Sequence, residues 1–168
     1  MSGSSTTFRE FFKAVRANED AAAEFNIWAD PEAAFIVADA GIPLEVVPLE
    51  VTHKAMFTLA HCVELERSGS EKAICVSRLM RFAIERHRKA YGTSGYPIHD
   101  ACAMAMAEDP AIGQATEVYL QIELSHGPCY GRTIFDLNNR LGKTPNVKLA
   151  TDIDGEKVVR RILELARR

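Results

Sequence analysis

The chain has 168 residues, 47% hydrophobic and 26% charged, which is enough to bury a real core and excludes a mini-scaffold. Its 20 Lys and Arg and 23 Asp and Glu are mixed throughout and sum to a net charge of −3, so there is no basic footprint for nucleic acid. Apolar runs such as Ala33 to Ala38 fall far short of the roughly 20 residues of a membrane helix, and no charged-then-apolar leader is seen, so a cytoplasmic protein with no membrane partner is expected.

Small polar residues, Met1 to Thr7, lead into Phe8, Phe11, Phe12 and Val15, whose spacing with a Thr7/Glu10 capping box predicts an amphipathic helix over Thr7 to Ala17. Residues 1–17 are thus set apart as a lead-in and helix from a main region over 18–168. A short strand is expected at Ile27 to Ala29. Asp30-Pro31-Glu32 then starts a helix that Gly41 stops, because Asp caps, Pro suits the first helical position and Glu favours the positive helix end. Leu44 to Val51 reads as a strand bent at Pro48, after which Thr52 is expected to cap a helix from His53 to Arg67. Gly69 ends that helix and Ser70-Glu71 start a longer one to Tyr91.

Gly92, Gly95 and Pro97 predict a loop before Ile98-His99-Asp100, and Ala101 to Ala107 a short helix closed by Asp109-Pro110. Val118, Leu120, Ile122 and Leu124 alternate with polar residues, the period of a strand buried on one face. Cys129 to Asp136 is its expected antiparallel partner, giving a hairpin near residues 116–136. Asn146 to Ala150 reads as a further strand and Gly155 to Arg168 as a closing helix. Strands interleaved with helices make the class α/β. Cys62, Cys75, Cys102 and Cys129 form no C-x-x-C pair and read as buried free thiols in a reducing compartment.

Three segments could carry chemistry. His99-Asp100 puts an imidazole and an acid at a loop-to-helix junction, as a catalytic pair or as a loop residue beside a cap. Glu24-Phe25-Asn26 sets a carboxylate and an amide around an aromatic, to grip sugar hydroxyls or merely as a polar strand edge. Asp152-Ile153-Asp154-Gly155 is a metal loop or, more cheaply, the cap of the last helix. His53 reads as a helix-start residue, and His61 and His87 as ordinary helix positions.

Ala23-Glu24-Phe25-Asn26-Ile27 with Asp30-Pro31-Glu32-Ala33-Ala34, Val51-Thr52-His53-Lys54-Ala55, Gly95-Tyr96-Pro97-Ile98-His99-Asp100-Ala101-Cys102-Ala103 and Tyr130-Gly131-Arg132-Thr133 through Asp136 stand in a telling order. Together they resemble the inosine-uridine nucleoside hydrolase family over residues 18 to 168. The resemblance implies a C-terminal half of a Rossmann-like nucleoside hydrolase fold and Ca²⁺-assisted cleavage of the N-glycosidic bond of a ribonucleoside. It implies His99 as the acid that protonates the departing base, its near-neutral pKa suiting the task, and Asp100 as a ligand of Ca²⁺ and the ribose hydroxyls. Glu24 and Asn26 would bond the ribose 5′ side, Phe25 would pack on the sugar, and Asn18, preceded by Ala17 in place of the family's glycine, would contact ribose.

The family's D-x-D-x-x-x-D-D segment, source of most Ca²⁺ carboxylates, does not occur in these 168 residues. Asp100 alone falls short of the six to eight oxygens that Ca²⁺ takes, so the isolated chain is expected to be inactive. An exposed sheet edge and apolar helix face are expected to make it a homo-oligomer or to pair it with a missing N-terminal half, with Phe8 to Phe12 as a candidate contact. The competing expectation is a non-catalytic remnant or interaction module.

Overall fold

The computed structural model describes residues 22–168. The helix expected over Thr7 to Ala17, the candidate contact Phe8 to Phe12 and the candidate ribose ligand Asn18 lie outside the described residues. Helices and strands interleave as expected for an α/β chain. The structure divides into two units, one built from the chain up to Glu50 with Ala115–Ala150, the other from Val51–Gln114 with Thr151–Arg168.

The first unit opens with two short helices, α1 (Phe25–Ala29) and α2 (Pro31–Asp39). A strand was expected at Ile27 to Ala29. The Glu24 carboxylate instead accepts from the backbone N–H groups of Asn26 (2.9 Å) and Ile27 (3.3 Å), which turns the chain into a helix there. Asp30 caps α2 through the N–H of Ala33 at 2.9 Å, with Pro31 at its first position.

Strand β1 is only Glu45–Val46, shorter than the strand expected to Val51. Pro48 has no N–H for a ladder, and the chain beyond it makes a helical turn, α3 (Leu49–Thr52). The expected hairpin is present: β4 (Gly113–Ile122) pairs antiparallel with β5 (Thr133–Asp136), Leu120 opposite Phe135. With β6 (Val147–Ile153) they form a sheet of order β1-β6-β4-β5, β1 and β6 being parallel.

Val118, Leu120 and Ile122 bury one face of β4 against Ala38, Val147 and Leu149. Asn146 clips this core. Its Oδ1 accepts from the Leu120 N–H at 2.7 Å, while its Nδ2 donates to the carbonyls of Leu120 (3.0 Å) and Ala38 (3.2 Å).

The second unit contains β2 (Met56–Thr58), α4 (Leu59–Arg67), α5 (Glu71–Tyr91), β3 (Gly95–Pro97), α6 (His99–Glu108) and α7 (Gly155–Arg167). The helix expected from His53 starts only at Leu59, because β2 and β3 pair antiparallel with Phe57 opposite Tyr96. Gly95 permits that approach: a Cβ there would stand 2.9 Å from the Phe57 carbonyl oxygen. The helix to Tyr91 and the closing helix form as predicted, with Val158, Val159, Leu163 and Ala166 buried.

The core of this unit centres on Phe57, Leu65, Ile84, Met106 and Val158. Glu66 of α4 is bonded by Arg81 of α5 at 2.8 and 3.0 Å and by the buried Ser77 hydroxyl at 2.7 Å. All four cysteines are free. Cys62 and Cys102 are buried as expected, whereas Cys75 and Cys129 are exposed, which corrects the reading of four buried thiols.

Candidate active site

His99 begins α6, at the end of strand β3, and the strand pairing fixes where its backbone stands. Beyond the β2–β3 ladder the Ile98 N–H donates to the Ala55 carbonyl at 3.1 Å, tying the residue before His99 to the turn after α3. The ring is tethered as well, with its Nδ1 lying 2.7 Å from the Thr52 hydroxyl. The His53 ring meets it edge-on at 5.2 Å and the Tyr96 ring at 6.4 Å.

Tyr96, Ile98, His99, Asp100 and Ala101 line a cleft of about 230 Å³. With Nδ1 engaged by Thr52, Nε2 is the ring nitrogen left to a ligand. Asp100, on the first turn of α6, is exposed, so its carboxylate reaches solvent.

Burial pushes the His99 pKa down to about 4, His53 adds to the shift and Asp100 opposes it. A near-neutral value was expected. At neutral pH the resting ring therefore carries no charge and offers either an N–H donor or a lone pair at Nε2, according to its tautomer. Protonation becomes favourable once negative charge develops beside the ring, which reverses the Coulombic part of the balance.

The other histidines also differ from plain helix positions. His61 Nδ1 accepts from the Thr58 N–H at 3.0 Å and closes the start of α4. His87 sits with its Nδ1 2.6 Å from the Thr93 hydroxyl and 3.1 Å from the Gly95 carbonyl oxygen, so it braces the approach to β3. His53 occupies a turn and not a helix start.

Glu24, Phe25 and Asn26 lie in the first unit. Both Glu24 carboxylate oxygens are engaged locally, Oε2 as the cap of α1 and Oε1 by the Asn26 amide at 3.3 Å. Phe25 is 51% exposed, a large apolar ring open to contact. The segment is thus neither a strand nor a strand edge. In the second unit, Asp154 accepts from the Lys157 N–H at 2.9 Å and Asp152 pairs with Lys54 at 2.6 Å, so this stretch is a helix cap and an ion pair, as its cheaper reading held.

The described residues do not by themselves assemble a Ca²⁺ ligand set. Among the described residues no group of three His, Cys, Asp or Glu side chains comes together for a metal, and Asp100 supplies a single carboxylate. Two contributors to the His99 site were missed in the sequence. The sequence points to Thr52 as a helix cap, and the Thr52–His99 contact spans 47 positions with no local signal. Tyr96 reaches the cleft because β3 forms, and three residues around a Gly and a Pro do not announce a strand.

Residues 1–160 match the family model described as inosine-uridine preferring nucleoside hydrolase. The pyrimidine-specific ribonucleoside hydrolase RihB of Escherichia coli O157:H7 is 37% identical over 134 residues, 80% of this chain and 43% of that protein. Among solved structures, the plant nucleoside hydrolase PpNRh1 is similar with a TM-score of 0.79 at 30% identity, over 88% of this chain and 48% of its own. The purine-preferring ribonucleoside hydrolase from Gardnerella vaginalis is similar with a TM-score of 0.79 at 25% identity, over 89% of this chain and 49% of its own. The chain spans about half the length of these relatives.

Proposed function

The chain belongs to the inosine-uridine preferring nucleoside hydrolase family, and on that premise we propose that it acts in ribonucleoside N-ribohydrolysis, releasing ribose and a free base. The observation that carries this reading is the His99-Asp100 pair at the start of α6, where a tethered imidazole and an exposed carboxylate share one cleft. In such a reaction the C1′–N bond breaks, the base leaves with the electron pair and C1′ gains positive charge before water adds. His99 suits the leaving-group side: a neutral ring can present an Nε2 hydrogen to the negative charge that develops on the departing nitrogen. The ribose contacts of Asn18, Glu24, Phe25 and Asn26 belong to the same proposal.

Asp100 is the side-chain oxygen this chain would give to Ca²⁺. Activity then requires the D-x-D-x-x-x-D-D carboxylates from further polypeptide, so the working form is an assembly of this chain with that half of the fold; a second copy, which carries the same sequence, would not supply them. A cytoplasmic role in ribonucleoside salvage fits this reading. The relatives' names differ in base preference, pyrimidine for the Escherichia coli enzyme and purine for the Gardnerella enzyme. Inosine and uridine are therefore both assayed.

The test supplies the absent segment. The chain is co-expressed with the D-x-D-x-x-x-D-D half of a RihB-type relative, and ribose release is followed with Ca²⁺. Release that Asp100→Ala abolishes is the expected result. An assembled complex that releases no ribose from either nucleoside would overturn the proposal.

A further inference from the structure

Among the described residues, Thr52 and Ser77 are polar side chains buried in the core, and Ser77 is bonded to Glu66. Thr52 is 3% exposed, and its hydroxyl stands 2.7 Å from His99 Nδ1. A buried hydroxyl at that distance is a committed hydrogen bond, since its loss strands a polar atom in the core.

The framework around this contact is rigid. The Thr52 carbonyl accepts from the Ala55 N–H at 3.1 Å, and the Ala55 carbonyl accepts from the Ile98 N–H at 3.1 Å. Thr52 and His99 are therefore joined by a backbone route as well as through their side chains. The start of α7 presses on the same turn: a Cβ on Gly155 would stand 2.0 Å from the Lys54 carbonyl oxygen. The turn that carries Thr52 is held on both sides.

A hydroxyl is donor and acceptor, so the contact has two directions. If His99 donated from Nδ1, its Nε2 would present a lone pair to the cleft. That lone pair would face the electron pair gained by a departing nitrogen. If Thr52 donates, Nε2 carries the hydrogen and presents a donor.

We propose that Thr52 is a positioning residue for His99, its hydroxyl donating to Nδ1 and holding the ring as the Nε2–H tautomer, the form that offers a hydrogen bond to the leaving base. The purpose of this device rests on the ribohydrolase reading; its geometry does not. A third group that fixes the tautomer of a reacting imidazole is a general arrangement, filled here by a buried threonine instead of a carboxylate. A neutral partner fixes the ring without adding a charge to the core.

The experiment reads the tautomer directly. The chain is labelled with ¹⁵N-histidine, the His99 ring signals are assigned against His99→Gln, and long-range proton–nitrogen correlations are recorded at neutral pH without nucleoside. The expected spectrum has Nδ1 at the position of an unprotonated nitrogen and Nε2 at that of a protonated one. In Thr52→Val the two ring nitrogens are expected to shift toward each other as the tautomers mix, and Thr52→Ser is expected to restore the original positions. A protonated Nδ1 in the unmodified chain overturns the proposal even if Thr52→Val fails to fold. Ring nitrogens unmoved in a folded Thr52→Val overturn it equally. Because no substrate is used, this result stands whether or not the assembled complex releases ribose, and the two failures are separate.

Discussion

In the proposed reaction His99 is a hydrogen-bond donor at rest and meets negative charge only as the base departs. Its place at the first position of α6 suits this, since the positive end of a helix disfavours an imidazolium and burial acts in the same direction. Glu24 shows how one residue can be read twice. Its carboxylate caps α1, whatever else it touches, so Glu24→Ala is expected to lower stability by about 1 kcal/mol in urea unfolding, as cap removals do. Asn146 makes the sharper stability prediction. Asn146→Leu leaves the Leu120 N–H without its 2.7 Å partner beside the β4 core, and a cost of about 1–3 kcal/mol is expected from the same measurement. The Glu24 cap is a local feature of neighbouring residues, although neither sequence reading of the segment, a grip on sugar hydroxyls or a polar strand edge, includes it. The bond from Asn146 to the Ala38 carbonyl, across 108 positions, is not local.

At the scale of elements, the start of α7 lies close against the turn after α3, with Gly155 leaving no room for a side chain. Gly155→Ala would drive a methyl group onto the Lys54 carbonyl, and overpacking of this kind costs about 1–3 kcal/mol. The expected result is a lowered thermal midpoint, together with a disturbed His99 ring signal, because the same turn carries Thr52. The junction of α4 with α5 has a pH signature. Hydrogen bonds from Arg81, then Ser77, hold the Glu66 pKa at about 2, below its ordinary 4.5. The unfolded chain therefore binds the proton more readily between those values. The contribution is complete above pH 4.5 and is lost as pH falls toward 2. Unfolding midpoints measured from pH 6 downward should fall less steeply for Glu66→Gln than for the unmodified chain. Helices α5 and α7 were legible because long periodic segments with caps state their own boundaries. The elements β2, β3 and α3 were not, because three or four residues carry no period and were fixed by pairing or by Pro48.

For the whole molecule, the proposed ribohydrolase reading makes carboxylate supply the controlling quantity. Under that reading the chain alone, given Ca²⁺ and inosine or uridine, is expected to release no ribose, because among the described residues no group of three possible ligands joins Asp100; turnover that Asp100→Ala removes would show the proposed ligand count to be wrong. Among the described residues no helix is long and apolar enough to cross a membrane, yet Ile36 on α2 and Leu79 and Phe82 on α5 are 65%, 65% and 71% exposed. Apolar side chains so open favour association, and sedimentation of the purified chain should show a mass above 18.6 kDa. The sequence by itself determined the α/β class, the hairpin, the long helices and the family, since periodicity, capping residues and motif order are written within a few neighbouring positions. Only the tertiary structure decided that Thr52 belongs to His99, that burial favours the uncharged imidazole, and that Asp152 serves Lys54. Each of these depends on groups brought together from 46 to 98 positions apart, and on the water their packing excludes.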